Sequence, residues 1–202
     1  MKAGNEAERS PKTAREEIRN RKKAIRRAVL LVRDAMPEEE RAKASRLLAE
    51  HIIAHGWFRQ AEELLCFLSF GSEADTTEII EEALRSRKKV YVPKVTGEDM
   101  EFYRILSLDG LRIGYQGIRE PDPGGESYRY RREEERVLLL MPGVAFDPQR
   151  RRLGYGKGFY DRFLQGKGQL LRRSVAIGFR CQLVEEIPEE RQDVRPGQVV
   201  VR

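Results

Sequence analysis

The chain has 202 residues, of which 36% are charged and 40% hydrophobic, and this suits one domain with a substantial core. Its apolar runs are far shorter than the roughly 20 residues of a membrane span. Its first residues lack the apolar centre of a secretory signal. The two cysteines, Cys66 and Cys181, lie in apolar-flanked segments and give no zinc spacing. We therefore expect free thiols and a cytoplasmic protein.

The net charge of +6 and the pI near 9.4 leave two classes of partner open, a nucleic acid and an anionic small molecule. The 39 basic residues are interleaved with 33 acidic ones, and the mixed segment Arg129–Arg136 is typical of a solvated face. An RNA-binding module would need aromatic side chains among its cations, and the basic segment Arg15–Arg33 contains none. The bias favours an anionic small molecule, and we expect no binding to nucleic acid or to a membrane.

The N-terminal third predicts a tail and two helices. Met1–Ala14 is polar, and we expect it to be disordered. Arg15–Ala35 predicts a basic amphipathic helix. Its apolar positions recur at helical spacing: Ile18, Ile25, Val29 and Val32. Pro37, followed by three glutamates, is a favourable start for a second helix that ends near Gly56.

A strand–helix–strand unit follows. Leu64–Phe70 is a continuous apolar run, typical of a strand covered on both faces. Asp75 predicts a capped start for a helix over Ile79–Arg85, and Val90–Val92 predicts a short strand that ends at Pro93. Two strands joined by a helix within about thirty residues indicate a parallel sheet with a right-handed crossover.

The remaining strands complete the predicted sheet. Glu101–Ile105 and the region Gly110–Gly117 predict short strands or a hairpin, and Val137–Met141 predicts another buried strand. Ser174–Phe179 and Val199–Val201 predict the last two. Because no linker or change of composition divides the chain, we expect residues 15–202 to form one α/β domain. Its predicted architecture has three layers, with a mostly parallel central sheet flanked by helices, as in Rossmann-like folds.

The segment Met141–Leu164 carries most of the chemical information. It passes from a predicted strand into a basic loop with alternating glycines and then into an aromatic helix. The glycines allow tight turns and bring backbone N–H groups close to a ligand: Gly154, Gly156 and Gly158. Arg150–Arg152 and Lys157 add positive charge, and Asp161 adds one carboxylate. This combination predicts a site for a phosphate chain with its divalent metal, although a purely structural strand-to-helix loop would also need glycine.

Two common phosphate-binding patterns do not fit this loop. A Walker A loop needs Ser or Thr after its lysine, and here Gly158 follows Lys157. The dinucleotide-binding fingerprint G-x-G-x-x-G has a different glycine spacing. The loop therefore matches neither of these two patterns.

The whole segment, PGVAFD-x4-RLGYGKGFYDRFL, closely resembles the signature of the 5-formyltetrahydrofolate cyclo-ligase family. The resemblance extends from about Lys22 to Asp193. It includes a Lys-x3-Arg pair on the first helix, the segment FLSFGSEADT, the segment VPKV with a following Met-x-Phe, and a Gly-Ile-x-Glu-Pro segment. Two positions depart from the common pattern: Phe159 replaces a tyrosine, and Gln192 stands where many members have histidine.

The resemblance implies an enzyme that uses ATP and Mg²⁺ to convert 5-formyltetrahydrofolate, with or without a polyglutamate tail, to 5,10-methenyltetrahydrofolate. ADP and phosphate are the other products. We expect a monomer. Because the attacking oxygen and nitrogen both belong to the folate, the protein needs no Ser, Cys or His nucleophile.

The resemblance also implies the site residues. ATP is expected at Lys22, Arg26, Arg152, Leu153, Gly154, Tyr155, Gly156, Lys157, Gly158, Phe159 and Tyr160. The folate is expected at Leu68, Glu73, Tyr155, Gly156, Lys157, Gly158 and Phe159. Arg152 and Lys157 are the predicted catalytic residues, and Asp161 and Asp193 the predicted metal ligands. Glu73 follows a predicted strand, where ligands of α/β sheets gather, and its carboxylate suits the paired N–H donors of a pterin.

Overall fold

The structure is a computed structural model that describes residues 11–114, 117–132 and 135–202. The helices are α1 (Pro11–Asp34), α2 (Glu38–Ala54), α3 (Gly56–Gln60), α4 (Thr77–Arg85), α5 (Phe159–Leu164) and α6 (Gly168–Arg172). The strands are β1 (Glu63–Cys66), β2 (Lys89–Thr96), β3 (Asp99–Ile105), β4 (Arg112–Ile113), β5 (Arg119–Glu120), β6 (Val137–Met141), β7 (Ala145–Phe146), β8 (Arg152–Leu153), β9 (Ser174–Gly178) and β10 (Gln198–Val201).

The central sheet has six strands in the order β10-β9-β6-β1-β2-β3. The first five are parallel to one another, and β3 runs antiparallel to β2 at the edge. Two short antiparallel ribbons, β4–β5 and β7–β8, lie outside this sheet. The predicted α/β class with a mostly parallel sheet is confirmed.

Alternating side chains on the parallel strands pack into two hydrophobic cores, one on each face of the sheet. In β6, Leu138 and Leu140 join the core under α2 and α4, whereas Leu139 joins the core under α5 and α6. A third cluster joins Val29 of α1 to the β7–β8 ribbon. Helices therefore cover both faces, and α1 is placed against the ribbon that leads into the glycine loop.

Two strand predictions were wrong in their ends. β1 stops at Cys66, because Phe67–Phe70 leaves the sheet and Phe70 accepts a backbone hydrogen bond from Glu73 in a turn. β2 continues through Pro93 to Thr96. β1 pairs with β2 only over Lys89–Tyr91. Pro93 lies beyond this pairing and pairs with β3 alone, so its missing N–H removes no hydrogen bond to β1.

The buried face of α1 also differs from the prediction. Val32 is 55% exposed, whereas the buried positions include two cations, Lys22 and Arg33, on either side of Val29. α1 starts at Pro11, before the predicted start at Arg15. Residues 1–10 of the expected tail lie outside the described residues. α1 therefore buries two cations, and not only apolar side chains, against the rest of the protein.

Other predicted elements are confirmed with small shifts. The region Gly110–Gly117 contributes β4 to a hairpin with β5, although its residues 115 and 116 lie outside the described ranges. α4 begins with Thr76 as its N-cap, not Asp75, although Asp75 still accepts a hydrogen bond from the N–H of Thr77 at 2.9 Å. Both cysteines are free thiols. Among the described residues, no helix has the length and apolarity to cross a membrane.

Candidate active site

A cleft of about 1420 Å³ opens at the carboxyl ends of β1, β2 and β6. The chain immediately after β1 contributes Leu68, the distal part of β2 contributes Val95, and the residue after β6 contributes Pro142. α1, the glycine loop and residues 190–194 form the other walls. Every site residue predicted from the sequence lines this cleft, which lies where α/β sheets usually hold ligands.

The β7–β8 ribbon leads directly into the glycine loop, which lines the cleft. Asp147, buried in the turn of the ribbon, accepts hydrogen bonds from the backbone of Gln149, Arg151 and Ile187. It also holds the Arg151 side chain through Oδ2 at 2.6 Å. Arg150 instead donates to the carbonyl of Gly197. The expectation that both of these arginines add charge to the phosphate site was wrong, because both are bound elsewhere.

The glycines of the loop are required by its backbone. Gly156 has a φ of +96° and Gly158, the N-cap of α5, a φ of +69°, and L side chains rarely adopt either value. A Cβ on Gly156 would lie 3.4 Å from the guanidinium carbon of Arg26. The Arg26 Nε donates to the carbonyl oxygen of Gly154 at 2.7 Å, and burial lowers the pKa of Arg26. α1 therefore holds the loop from one side.

Lys22 lies one turn before Arg26 and is already paired with two carboxylates. Its Nζ donates to Glu190 Oε2 at 2.9 Å and to Asp193 Oδ2 at 2.5 Å. The pKa of Glu190 is lowered, chiefly by the hydrogen bond from Lys22. The predicted phosphate ligand Lys22 and the predicted metal ligand Asp193 are thus in direct contact.

Arg152 and Tyr160 form a buried pair in the cleft wall. The Arg152 guanidinium carbon is 5.4 Å from the centroid of the Tyr160 ring, and Nη1 donates to the carbonyl oxygen of Pro142 at 3.2 Å. Within the described part of the chain, the Arg152 Nε and the Tyr160 hydroxyl have no hydrogen-bond partner. Since buried polar atoms are rarely left unpaired, these two donors are suited to a bound polar group.

The two predicted metal ligands are close to one another in the fold. Asp161 accepts a hydrogen bond from the N–H of Val194, the residue after Asp193, at 3.1 Å. Its Oδ1 is also 3.5 Å from Arg152 Nη2. The described residues contain no group of three or more His, Cys, Asp and Glu that could hold a metal ion. Two carboxylates beside a phosphate site still suit Mg²⁺, which completes its coordination with water and phosphate oxygens.

The remaining loop residues lie at the rim and the floor. Lys157 is exposed, and its carbonyl oxygen accepts a hydrogen bond from Arg162 at 2.8 Å. Leu153 is buried in β8 under α1, and Phe159 is partly buried at the start of α5. We call the part of the cleft lined by Lys22, Arg26, Arg152, Lys157, Asp161 and Asp193 the basic end.

The opposite part, lined by Leu68, Glu73 and Tyr155, is the Glu73 end. Glu73 Oε2 accepts the N–H of Phe70 at 3.0 Å, and Glu73 also receives a hydrogen bond from the Tyr155 hydroxyl. Burial raises the pKa of Glu73, while the two hydrogen bonds and the charge of Arg33 oppose the rise. Leu68 is buried and supplies an apolar surface beside this carboxylate.

Two features of the site were missed from the sequence. Arg33 is buried and donates to the Tyr155 hydroxyl at 2.9 Å. Its spacing from Lys22 and Arg26 places it on the same face of α1, a signal that was present in the helix pattern. Lys94 donates to the buried Glu120 at 3.1 Å beside the cleft, and no spacing in the sequence links these two residues.

Comparison with known proteins gives consistent results. The model of the 5-formyltetrahydrofolate cyclo-ligase family matches residues 18–202. A probable 5-formyltetrahydrofolate cyclo-ligase of Caenorhabditis elegans is 29% identical over 91% of this chain and 93% of its own length. The 5-formyltetrahydrofolate cyclo-ligase of Escherichia coli K12 is 30% identical over 80% of this chain and 90% of its own. The NMR structure of the Aquifex aeolicus 5,10-methenyltetrahydrofolate synthetase superposes with a TM-score of 0.77, 31% identity and 89% coverage of both chains.

Proposed function

The chain belongs to the 5-formyltetrahydrofolate cyclo-ligase family, and on this premise we propose that it couples ATP and Mg²⁺ to the conversion of 5-formyltetrahydrofolate to 5,10-methenyltetrahydrofolate. ADP and phosphate are the other products. One observation carries the proposal: a single cleft has cations and a glycine loop at the basic end and a partly buried carboxylate at the Glu73 end. Two chemically different ligands can therefore meet there.

The basic end is the proposed triphosphate site. The glycine loop gives backbone access, and Arg26, Arg152 and Lys157 supply positive charge beside it. The unpaired Nε of Arg152 is a donor ready for a phosphate oxygen. Lys22 is bound to Glu190 and Asp193, so its approach to a phosphate requires an exchange of partners.

The proposed metal ligands are Asp161 and Asp193. Both carboxylates lie against cations, Arg152 and Lys22 respectively, and both line the cleft. A bound Mg²⁺ would supply positive charge to the phosphate oxygens during transfer. The carboxylates would hold that charge beside the glycine loop, while Arg152 and Lys22 turn to the phosphates.

The Glu73 end is the proposed pterin site. A carboxylate accepts two adjacent N–H donors in a fork, as it does from a guanidinium group, and a pterin presents such a pair. Leu68 offers apolar surface for the ring, and Tyr155 lies between this end and the glycine loop. In this arrangement the formyl group would face the phosphates.

The proposed reaction needs no nucleophile from the protein. The formyl oxygen attacks the γ-phosphorus of ATP and ADP leaves, after which N10 attacks the activated formyl carbon and phosphate carries the oxygen away. Arg152 and Lys157 neutralise charge on the transferring group, and the loop holds it in line. The residues of the site are therefore suited to positioning and charge neutralisation.

The test is formation of the methenyl chromophore by the purified protein from 5-formyltetrahydrofolate, ATP and Mg²⁺. We expect it only when nucleotide and metal are both present, because the formyl oxygen must be phosphorylated before it can leave. Product formed without nucleotide would refute the proposed chemistry. The absence of product under all conditions would refute the proposed substrate.

A further inference from the structure

Arg33 is a buried cation that does not line the cleft. Its side chain is 3% exposed, on the face of α1 that also carries Lys22 and Arg26. The two residues that it approaches, Tyr155 and Glu73, do line the cleft. A buried arginine is costly unless it is paired, so its partners indicate its role.

The guanidinium group binds two loops at once. Its Nε donates to Ser72 Oγ at 2.9 Å, and its Nη2 donates to the Tyr155 hydroxyl at 2.9 Å. Ser72 in turn contacts Asp34, the last residue of α1. Arg33 therefore joins the segment that carries Glu73 to the glycine loop that carries Tyr155.

The direction of these hydrogen bonds matters. Because the Tyr155 oxygen accepts from Arg33, its own hydrogen is directed to another acceptor, and Glu73 receives it. The chain Arg33 to Tyr155 to Glu73 runs from a cation through a neutral hydroxyl to a carboxylate. Each bond in such a chain polarises the next and strengthens it.

We propose that Arg33 is a positioning residue for folate recognition, which fixes the Tyr155 hydroxyl as a donor to Glu73 and so holds the Glu73 carboxylate as the acceptor for the pterin. The proposal rests on the proposed function, which assigns Glu73 to the folate. Arg33 acts through Tyr155 and does not touch either substrate. Its loss should therefore affect the folate and leave the triphosphate site at the basic end unchanged.

The main experiment is a double-mutant cycle of Arg33→Met with Tyr155→Phe. Methionine keeps an apolar stem without donors, and phenylalanine keeps the ring without the hydroxyl. Loss of one charge-assisted hydrogen bond should raise the KM for 5-formyltetrahydrofolate about tenfold in each single variant. The double variant should be no worse than the worse single variant, because both changes break the same link. In Arg33→Met, the KM for ATP and kcat should change less than about twofold.

The matched control is Arg27→Met, which removes an exposed cation from the same helix and should leave both KM values unchanged. Additive effects in the cycle, or equal changes in the KM for both substrates in Arg33→Met, would overturn the proposal. If Arg33→Met does not fold, Arg33→Lys replaces it in the cycle, because one ammonium group cannot reproduce the fork to Ser72 and Tyr155. An unchanged folate KM in Arg33→Lys would then count against the proposal.

The pH profile separates positioning from a purely structural role. The groups that face Glu73 are Arg33 from α1, Tyr155 from the glycine loop and Tyr160 from α5. Burial raises the pKa of both tyrosines, so among these four groups Glu73 is the one that titrates on the acid side. Arg33→Met should move the acid limb of kcat/KM for the folate to higher pH. A profile that coincides with that of the unmodified protein would contradict the proposal.

The failure of this inference is distinguishable from failure of the proposed function. If the unmodified protein forms no methenyl product, the function is wrong. If it forms product and Arg33→Met keeps the same KM for the folate, the function stands and the role of Arg33 is wrong.

Discussion

At the basic end of the cleft, two of the cations, Lys22 and Arg152, already contact carboxylates, whereas at the Glu73 end a carboxylate is held by hydrogen bonds. Lys22 binds Glu190 and Asp193, and Arg152 lies 3.5 Å from Asp161. Glu73 binds the Phe70 N–H and the Tyr155 hydroxyl. A proposed ligand would therefore meet ion pairs at the basic end and a hydrogen-bonded carboxylate at the Glu73 end.

The difference indicates what each ligand must displace. A metal–triphosphate complex can exchange partners with the ion pairs of the basic end, so that carboxylates turn to the metal and cations to the phosphates. Such an exchange keeps charge matched and depends on metal and salt. A pterin at the proposed site would meet a carboxylate whose pKa is raised by burial, so its binding should depend on pH. Four experiments test this difference between the two ends.

The largest effect is expected at the basic end from Lys157→Ala. Loss of one charge-assisted contact to the transferring phosphoryl group should raise the activation free energy by about 3 kcal/mol, which lowers kcat by about two powers of ten. Lys157 is exposed, so the melting temperature should be unchanged. Lys43→Ala, an exposed lysine of α2, is the control for charge alone. A variant with normal melting and normal turnover would remove Lys157 from the catalytic residues.

The matching change at the other end is Glu73→Gln. The amide keeps the shape of the side chain, but its NH2 group would face an N–H donor of the pterin. This should weaken folate binding by about 2 kcal/mol. Calorimetry should show an ATP affinity close to that of the unmodified protein. Equal loss of both affinities, or of neither, would show that the two ends do not divide the substrates as proposed.

Asp161→Asn tests the metal site. The amide oxygen can still accept from the N–H of Val194, so the fold should be kept while the negative charge is lost. The Mg²⁺ concentration for half-maximal rate should rise by about tenfold or more. Asp109→Asn, at an exposed position away from the cleft, should leave the metal titration unchanged. An unchanged titration in Asp161→Asn would exclude Asp161 as a ligand.

The smallest effect is the pH dependence of folate affinity. In the proposed site the ionised form of Glu73 accepts the pterin donors, so the affinity should be present above the pKa of Glu73 and be lost as the pH falls through that value. Because burial raises this pKa, the loss should begin at a higher pH than for an ordinary glutamate. Calorimetric titrations across the acidic range measure it. Glu73→Gln should flatten the dependence, and persistence of the same dependence would assign it to another group.

The sequence predicted the architecture and much of the cleft because both depend on contiguous patterns. Buried strands such as Val137–Met141 are visible as apolar runs, and the glycine loop carries its own backbone requirement. The resemblance of this loop to the cyclo-ligase signature is confirmed by the family match over residues 18–202. The roles of individual site residues remain predictions.

The errors have a common physical cause, because burial and partners depend on distant segments. Arg33 was counted only among the cations of a basic amphipathic helix, yet it is bound by Ser72 and Tyr155, which are far away in the chain. Arg151 was expected to add positive charge to the phosphate site, but Asp147 binds it within the ribbon turn. Pro93 was expected to end β2, and it is tolerated because β1 has already stopped pairing there. Local propensity does not contain these contacts.

The central claim is that the two ends bring the formyl oxygen of the folate against the γ-phosphate of ATP in one cleft. The most direct test uses 5-formyltetrahydrofolate labelled with ¹⁸O in the formyl group and mass analysis of the phosphate released in a single turnover. The account predicts one labelled oxygen in each phosphate, because that oxygen leaves the folate on phosphorus. Unlabelled phosphate, with the label recovered in water, would contradict it.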